Sequence, residues 1–171
     1  MSDPQPYGQA LRDVMRTFPQ GVVVVTADAG AGPRGVTVSS FISVSLAPPL
    51  VLVSIDRSSQ AHGTLEAAGA FVINVLAETQ GSLSEHFARS GLSSEDQFAE
   101  VGFAPGPLGQ PRIDGCIAYL DCRIVEAVVQ ADHTLFIGEV SHGGVFSDSP
   151  RPLVFLGREY RSVGGPVHDR S

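Results

Sequence analysis

The sequence predicts a mainly β fold, a β-barrel with a few helices inserted between its strands. Continuous β-branched runs such as Val22–Thr26 are typical of buried strands. A long stretch from Ala118 to Val129 places apolar residues at alternate positions, which is typical of a strand with one buried face. Glycine and proline clusters separate these runs. The pattern predicts at least seven strands, and a closed barrel is expected because closure removes unpaired edges.

The first half of the chain predicts one helix followed by closely spaced strands. Apolar residues recur at helical spacing from Tyr7 to Phe18, so an amphipathic helix is expected to end before Pro19. The first strand, Val22–Thr26, is followed by a glycine-rich turn at Asp28–Pro33. Further strands are expected at Val36–Ser39, Phe41–Leu46 and Leu50–Ile55.

The second half adds two helices before the β pattern returns. Ser58 and Ser59 can cap a short helix that runs to Ala68. A second helix is expected at Ser82–Arg89, whereas residues 91–111 show no clear pattern. The remaining expected strands are Phe71–Leu76, the long strand that follows Gly115, Thr134–Val140 after a loop at Gln130–His133, and Leu153–Leu156.

Length and composition indicate a single domain. With 171 residues and 43% apolar content, the chain can bury a substantial core. We expect one domain over residues 1–163 and a flexible tail at 164–171, where no apolar period is visible. Charged residues make up only 17% of the chain, against about 25% in a usual domain. An oligomer interface, a ligand cleft or a surface of small residues would each account for this.

The charge pattern excludes several classes of function. The net charge is −7, and all eleven basic residues are arginine, which argues against nucleic acid as a partner. The absence of lysine excludes Schiff-base chemistry and a P-loop lysine. Anions must therefore be bound by arginine, hydroxyl groups or backbone N–H groups.

Cysteine and histidine usage indicates neither disulfides nor a metal site. Cys116 and Cys122 are expected on one strand, too far apart to bridge, and are predicted to be buried free thiols. The histidines show no metal-ligand spacing, so no metal is assigned. Without a signal peptide or a long apolar run, a cytoplasmic location is expected.

The segment Gly35–Leu46 sets short hydroxyl side chains into two strand-like runs. Thr37 and Ser39 share one face of an extended chain, and a turn at Ser39 and Ser40 can expose backbone N–H groups. Such a segment suits the wall of a flat, polar-edged ligand. The alternative is a pair of amphipathic strands whose hydroxyls face water.

Three further clusters carry possible chemistry. The turn around Arg57, Ser58 and Ser59 offers a cation, hydroxyls and a helix N-terminus, which suit a phosphate, although an ordinary capping turn has the same sequence. His133 can hydrogen-bond a carboxamide, hydrogen-bond a phosphate or act as an acid, although most lone loop histidines do none of these. The third cluster, Arg158–Arg161, combines cations with an aromatic ring, which suits a nucleotide. The alternative is an ordinary strand end.

Several of these segments together resemble the flavin reductase family, from about Leu11 to Arg161. The family comprises short NAD(P)H:flavin oxidoreductases with an FMN-binding split barrel of Greek-key topology, and many members are reductase partners of flavin-dependent monooxygenases. The resemblance implies a homodimer with flavin near the subunit interface. The segments that carry it are Gly35–Leu50, Phe71–Leu76, Phe87-Ala88, Asp132-His133-Thr134 and Phe136–Val140.

The resemblance also implies roles for individual residues. Around the isoalloxazine ring it places Thr37, Val38, Ser39 and Ser40, with Ser54 and Ile55 continuing the same wall. Beside the ribityl chain and phosphate it places Arg57, Ser58, Ser59, Phe87 and Arg89. Near the nicotinamide it places His133, with Arg158 and Tyr160 bordering the same pocket. The chain departs from the family pattern at Ala131, where glycine is usual, and at the inserted Glu159.

The implied reaction is hydride transfer from nicotinamide C4 to flavin N5, with FMN or FAD as acceptor and NADH or NADPH as donor. NADH is favoured because similar family members use it more often. The protein contributes positioning, which is worth roughly 7–11 kcal/mol at best, and His133 is expected to orient the nicotinamide rather than to protonate it. Two rival interpretations are a tightly bound FMN flavoprotein that acts as electron carrier or sensor without NAD(P)H turnover, and a non-redox binding barrel.

Overall fold

The computed structural model describes residues 6–146, 148 and 150–165. Its helices are α1 (Pro6–Thr17), α2 (Gln60–Ala68), α3 (Gly81–Phe87) and α4 (Ser94–Phe98). Its strands are β1 (Gln20–Gly21), β2 (Val23–Ala27), β3 (Arg34–Val38), β4 (Ile42–Leu46), β5 (Pro49–Asp56), β6 (Ala70–Val75), β7 (Phe103–Pro105), β8 (Pro111–Ile113), β9 (Ala118–Gln130), β10 (His133–Val145), β11 (Leu153–Leu156) and β12 (Glu159–Ser162). The mainly β prediction is confirmed.

A seven-stranded antiparallel sheet forms the body of the molecule, in the order β3-β2-β6-β9-β10-β5-β4. Its longest members are β9 and β10, which form a hairpin around the turn at Ala131 and Asp132. No strand register joins β3 to β4 among the described residues. Full closure of the barrel was therefore a wrong expectation, and the open edge of β3 stays available for other groups.

Two smaller sheets complete the fold. One contains β1, β11 and β12, and the other is the β7–β8 hairpin. The sequence did not predict β12 or the elements within residues 91–111, because they are short and rich in turn residues. Asn74 fastens β8 to the main sheet, since its side-chain oxygen accepts a bond from the Ile113 N–H at 2.8 Å.

The core has two parts. Inside the main sheet, Phe71 and Phe136 pack with Leu65 of α2. A second cluster joins Phe87 of α3 and Phe98 of α4 to the other face of β2. Local patterns placed α1, α2, α3 and β9 correctly within a few residues, and Ser59 caps α2 as predicted, its Oγ accepting from the Ala61 N–H.

Both cysteines are free and buried, as predicted. However, Cys116 precedes β9 instead of lying on it. Burial raises the pKa of Cys116 to about 11 and that of Cys122 to about 12. Both are therefore protonated thiols at neutral pH.

Large apolar side chains are exposed on α1 and on β4. The apolar residues of α1, including Tyr7 and Leu11, point to solvent. On β4, Ile42 is 56% exposed and Leu46 is 90% exposed, and Ser43 is exposed as well. Large exposed apolar surfaces of this kind mark interaction sites.

No helix among residues 6–146, 148 and 150–165 is long and apolar enough to cross a membrane. The predicted tail at 164–171 falls mostly outside the described residues, which end at 165. The division of the chain at residue 163 therefore stays a prediction.

Candidate functional site

The open edge of β3 is the backbone of the candidate site. Gly35 donates its N–H to Gln97 Oε1 at 3.0 Å, and its C=O accepts from Gln97 Nε2 at 2.9 Å. These groups therefore point away from β2. Because backbone bonding alternates along an antiparallel strand, the N–H and C=O of Thr37 also point to the open side. The strand ends at Val38, and the predicted turn at Ser39 and Ser40 follows.

Two clefts flank this edge. The α2 cleft, of about 170 Å³, lies along the first half of β3, and its polar lining comprises Arg34, Ser58, Ser59, Gln60, Arg89, Ser90 and Gln97. The β3 cleft, of about 200 Å³, lies along the second half and is lined by Val22, Thr37, Val38, Ser39, Ser84, Phe155 and Tyr160. Both contact Ala88, so they form neighbouring parts of one trough along β3.

The α2 cleft offers groups that bind anions. Ser58 and Ser59 precede α2, whose N-terminal end carries partial positive charge. Asp56 shapes this turn, because its Oδ1 accepts from both the N–H and the Oγ of Ser58 at 2.8 Å. Both bonds lower the pKa of Asp56, and the bond from the Ser58 N–H has the larger effect. Arg89, which the resemblance placed beside the flavin phosphate, lines the same cleft.

Arg34 adds a second cation that the sequence reading missed. Its Nη1 donates to the Leu92 carbonyl at 2.6 Å and lies 3.5 Å from Gln60 Oε1, at the first residue of α2. Nothing local distinguishes this arginine from a solvated one, because its partners are distant in the sequence. Phe87 forms the apolar floor of the cleft and is 1% exposed.

The predicted hydroxyl wall is present, but its hydroxyls bind protein. Thr37 Oγ1 donates to the Ser84 carbonyl at 2.7 Å, and Ser39 Oγ donates to Gln20 Oε1 at 3.1 Å. Tyr160 reaches the same helix, with its hydroxyl 2.8 Å from Ser84 Oγ. In this arrangement the backbone edge faces the cleft, while the side chains fix its position.

The wall continues into β5 only in part. Ser40 Oγ donates to the Ser54 carbonyl at 2.8 Å and accepts from the Ser54 N–H at 3.2 Å, which ties the two segments together. Ile55 was predicted to continue the wall, but its side chain is 1% exposed and packs in the core. Strand alternation turns Ile55 inward wherever Ser54 points outward.

His133 lies beside the anion-binding turn. It is the first residue of β10, not part of the loop, and it pairs with Asp56. Its Nδ1 lies 2.8 Å from Asp132 Oδ1, and this bond is the main cause that lowers the pKa of Asp132. The Arg57 N–H donates to the Asp132 carbonyl at 2.9 Å, so the two turns are joined. The Arg57 side chain is exposed and does not line the α2 cleft.

His62, to which the sequence analysis assigned no role, fastens α2 to β10. His62 Nε2 lies 2.7 Å from Thr134 Oγ1, and both residues are buried. This contact holds the start of α2 against the strand that carries His133.

Arg158 does not share a cleft with Tyr160, contrary to the expectation that both border one pocket. It lines a third cleft, the α1 cleft, together with Arg12, Met15, Arg16, Gln20, Phe155 and Gly157. The separation follows from the turn at Gly157 and Arg158, after which Glu159 begins β12. Phe155 lines both the α1 cleft and the β3 cleft.

Comparisons with known proteins point to one family. Residues 15–164 match the model of the flavin reductase like domain. The chain is 43% identical over 134 residues to a probable flavin reductase of Rhizobium meliloti, a match that covers 78% of this chain and 42% of the relative's length. It is 36% identical to the reductase subunit of a flavin-dependent monooxygenase of Mycobacterium tuberculosis, covering 91% of this chain and 82% of that one.

A solved structure shows the same fold. The NADH:FAD oxidoreductase of Streptomyces globisporus, in complex with NAD and FAD fragments, superposes with a TM-score of 0.87 at 37% identity. The superposition covers 98% of this chain and 99% of that chain.

Proposed function

Because this chain belongs to the flavin reductase like domain family, we propose that it is an NAD(P)H:flavin oxidoreductase that supplies reduced FMN or FAD to a partner monooxygenase. The observation that carries the proposal is the trough along β3, which joins an anion-binding cleft to an aromatic-lined cleft. Similar proteins include an NADH:FAD oxidoreductase and a monooxygenase reductase subunit, which supports NADH as donor and an oxygenase as partner.

The residues along β3 fit a flavin. A flavin has a flat ring with polar edges and a negatively charged phosphate tail. The Thr37 backbone and the turn at Ser39 and Ser40 offer N–H groups to the ring edge. Ser59 and Arg89, at the other end of the trough, offer a hydroxyl proton and a positive charge to the phosphate, while Ser58 shapes the turn through its bonds to Asp56.

A bound flavin supplies the acceptor atom for a hydride from the nicotinamide, so the protein's task is to position the two rings. Thr37 and Ser39 are held by Ser84 and Gln20, so the edge that receives the ring is rigid before binding. Preorganised N–H donors at this edge stabilise negative charge that develops on the ring. Holding two reactants in place is worth about 7–11 kcal/mol at best.

We assign His133 the role of orienting the nicotinamide. Its Nδ1 is engaged by Asp132, which fixes the ring and leaves Nε2 for a ligand. Phe87 forms the floor of the α2 cleft, and Tyr160 lines the β3 cleft on the other side of Ala88. Ser54 supports the wall through Ser40, whereas Ile55 acts only through the core.

A homodimer accounts for the exposed apolar surfaces. The outer residues of β4 and the apolar face of α1 form patches that a second copy of the chain would cover. Because β4 ends the sheet, its outer edge is also free to pair. Sedimentation should show a dimer that Leu46→Glu dissociates. Ala67→Glu, which places the same charge on the exposed surface of α2 outside both patches, should remain dimeric, and equal behaviour of the two variants would contradict this interface.

The function is tested by NADH oxidation with purified protein, with and without added FMN or FAD. Oxidation that requires added flavin and saturates with it is the expected result. A protein that retains flavin but oxidises neither NADH nor NADPH would instead be an electron carrier or sensor. A cytoplasmic location is part of the proposal, because reduced flavin and its NADH donor are consumed there together.

A further inference from the structure

The α1 cleft concentrates positive charge in an acidic protein. Arg12 and Arg16 of α1 and Arg158 of the β11–β12 turn line this cleft of about 250 Å³. The whole chain has a net charge of −7. Among the residues that the structure describes, Asp13 is the one carboxylate paired with the cluster, through a bond of 2.7 Å to Arg16 Nη1. A cleft with this surplus of guanidinium groups favours an anionic ligand, and planar guanidinium suits phosphate oxygens.

The same cleft adjoins the place proposed for the flavin ring. Phe155 lines both the α1 cleft and the β3 cleft. Gln20, which lines the α1 cleft, accepts the bond from Ser39 that fixes the end of the ring wall. The two clefts are therefore neighbours, an arrangement that suits an extended ligand with a ring in one cleft and an anionic group in the other.

The backbone at Arg158 is unusual for its residue type. Gly157 and Arg158 form a two-residue hairpin turn with φ values of 63° and 69°. Glycine or asparagine is favoured at such positions, because other side chains are strained there. The turn is fastened to α1, since the Gly157 N–H donates to the Arg16 carbonyl at 3.1 Å. The fold thus holds an arginine at a costly position facing the two arginines of α1.

We propose that the α1 cleft binds the pyrophosphate group of the nicotinamide dinucleotide that donates the hydride. The flavin phosphate already has its own groups in the α2 cleft, at the opposite end of β3. The donor is the remaining reactant that combines a flat ring with a strongly anionic group. This assignment rests on the proposed reductase function and identifies Arg12, Arg16 and Arg158 as residues that select the donor.

The test compares Arg12→Gln and Arg158→Asn with a matched control, Arg151→Gln. Arg151 is exposed, pairs with Glu78 and lies outside the α1 cleft. Asparagine tolerates the left-handed backbone at position 158, so Arg158→Asn keeps the turn. Each cleft variant should raise the KM for NADH about tenfold, because it removes one charge-assisted contact to the pyrophosphate. The KM for FMN and kcat should change little, and the control should match the wild type.

Direct binding separates this proposal from the reductase function. ADP-ribose carries the pyrophosphate without the nicotinamide, and its affinity is measured by calorimetry. Wild-type binding that falls about tenfold in both cleft variants supports the site, even if the chain oxidises no NADH. Unchanged ADP-ribose affinity, or a rise in the KM for FAD instead of NADH, would overturn it while leaving the reductase function intact.

Discussion

Adding a methyl group at Gly35 is expected to destabilise the protein and to disturb the α2 cleft. A Cβ at this position would lie 2.6 Å from both Phe87 Cδ1 and Phe87 Cε1, and 3.3 Å from Thr26 Cγ2. Carbon atoms prefer a separation of about 3.5–4.0 Å, so the Phe87 ring must move by close to an ångström. The ring is buried and packs edge-on against Phe98, with 5.2 Å between ring centres.

The expected cost of Gly35→Ala is about 1–3 kcal/mol, which is typical of inserting one carbon into a packed core. For a domain of this size, about 2–4 °C of melting temperature corresponds to each kcal/mol. A fall of about 2–12 °C is therefore expected. Because Phe87 forms the floor of the α2 cleft, FMN affinity should fall in the same variant.

Gly63→Ala provides the matched control for this prediction. Gly63 lies within α2, and a Cβ there would have no heavy atom within 4 Å outside its own helix and neighbours. The same added methyl group should stabilise the protein by about 0.5–1 kcal/mol, since alanine favours helix over glycine. Thermal unfolding followed by circular dichroism measures both variants. A Gly35→Ala melting temperature at or above the wild-type value would refute this account of the close packing.

Three further predictions concern the site and the core. His133→Ala should raise the KM for NADH more than the KM for flavin in steady-state kinetics. Equal effects on both KM values would contradict the assignment of His133 to the nicotinamide. Ala131 has φ of 52°, so Ala131→Gly should increase the free energy of unfolding by about 0.5–1 kcal/mol; a lower urea midpoint would show that no strain is relieved. Burial raises the pKa values of Cys116 and Cys122 to about 11 and 12, so few thiolates exist near pH 8. Iodoacetamide should label them only after unfolding, and rapid labelling of the native protein would contradict their burial.

Local patterns predicted those elements whose signal lies within one segment. The spacing from Tyr7 to Phe18 gives α1, and the β-branched run at Val22–Thr26 gives β2. The short strands β7, β8 and β12 carry too few residues for a pattern. They pair with close neighbours in the sequence, but distant segments hold these hairpins in place, as when Asn74 binds the Ile113 N–H and β1 pairs with β11.

The faces of β4 show a different limit of sequence patterns. Alternation revealed two faces, one with hydroxyls and one with Ile42, Val44 and Leu46. It did not reveal that both faces are largely exposed, because that depends on the position of the strand at the end of the sheet. Ser43 is exposed together with the three apolar residues, and a register shift between Ser43 and Ser45 interrupts the alternation.

The candidate site was predicted best where its residues are close in sequence. The turn at Ser58 and Ser59 lines the α2 cleft as expected. In contrast, Arg34, Ser84 and Gln97 acquire their roles only through long-range contacts, so nothing local marks them. The backbone of Arg158 places it in a separate cleft, which the sequence alone did not indicate.

Backbone amide hydrogen exchange, measured with and without FMN, tests the proposed flavin site most directly. We expect FMN to slow exchange in two segments, residues 36–41 along the β3 edge and residues 57–61 at the start of α2. The β7–β8 hairpin should exchange at the same rate in both conditions. Protection centred on the hairpin, or no protection of residues 36–41 at saturating FMN, would contradict the claim that β3 holds the flavin.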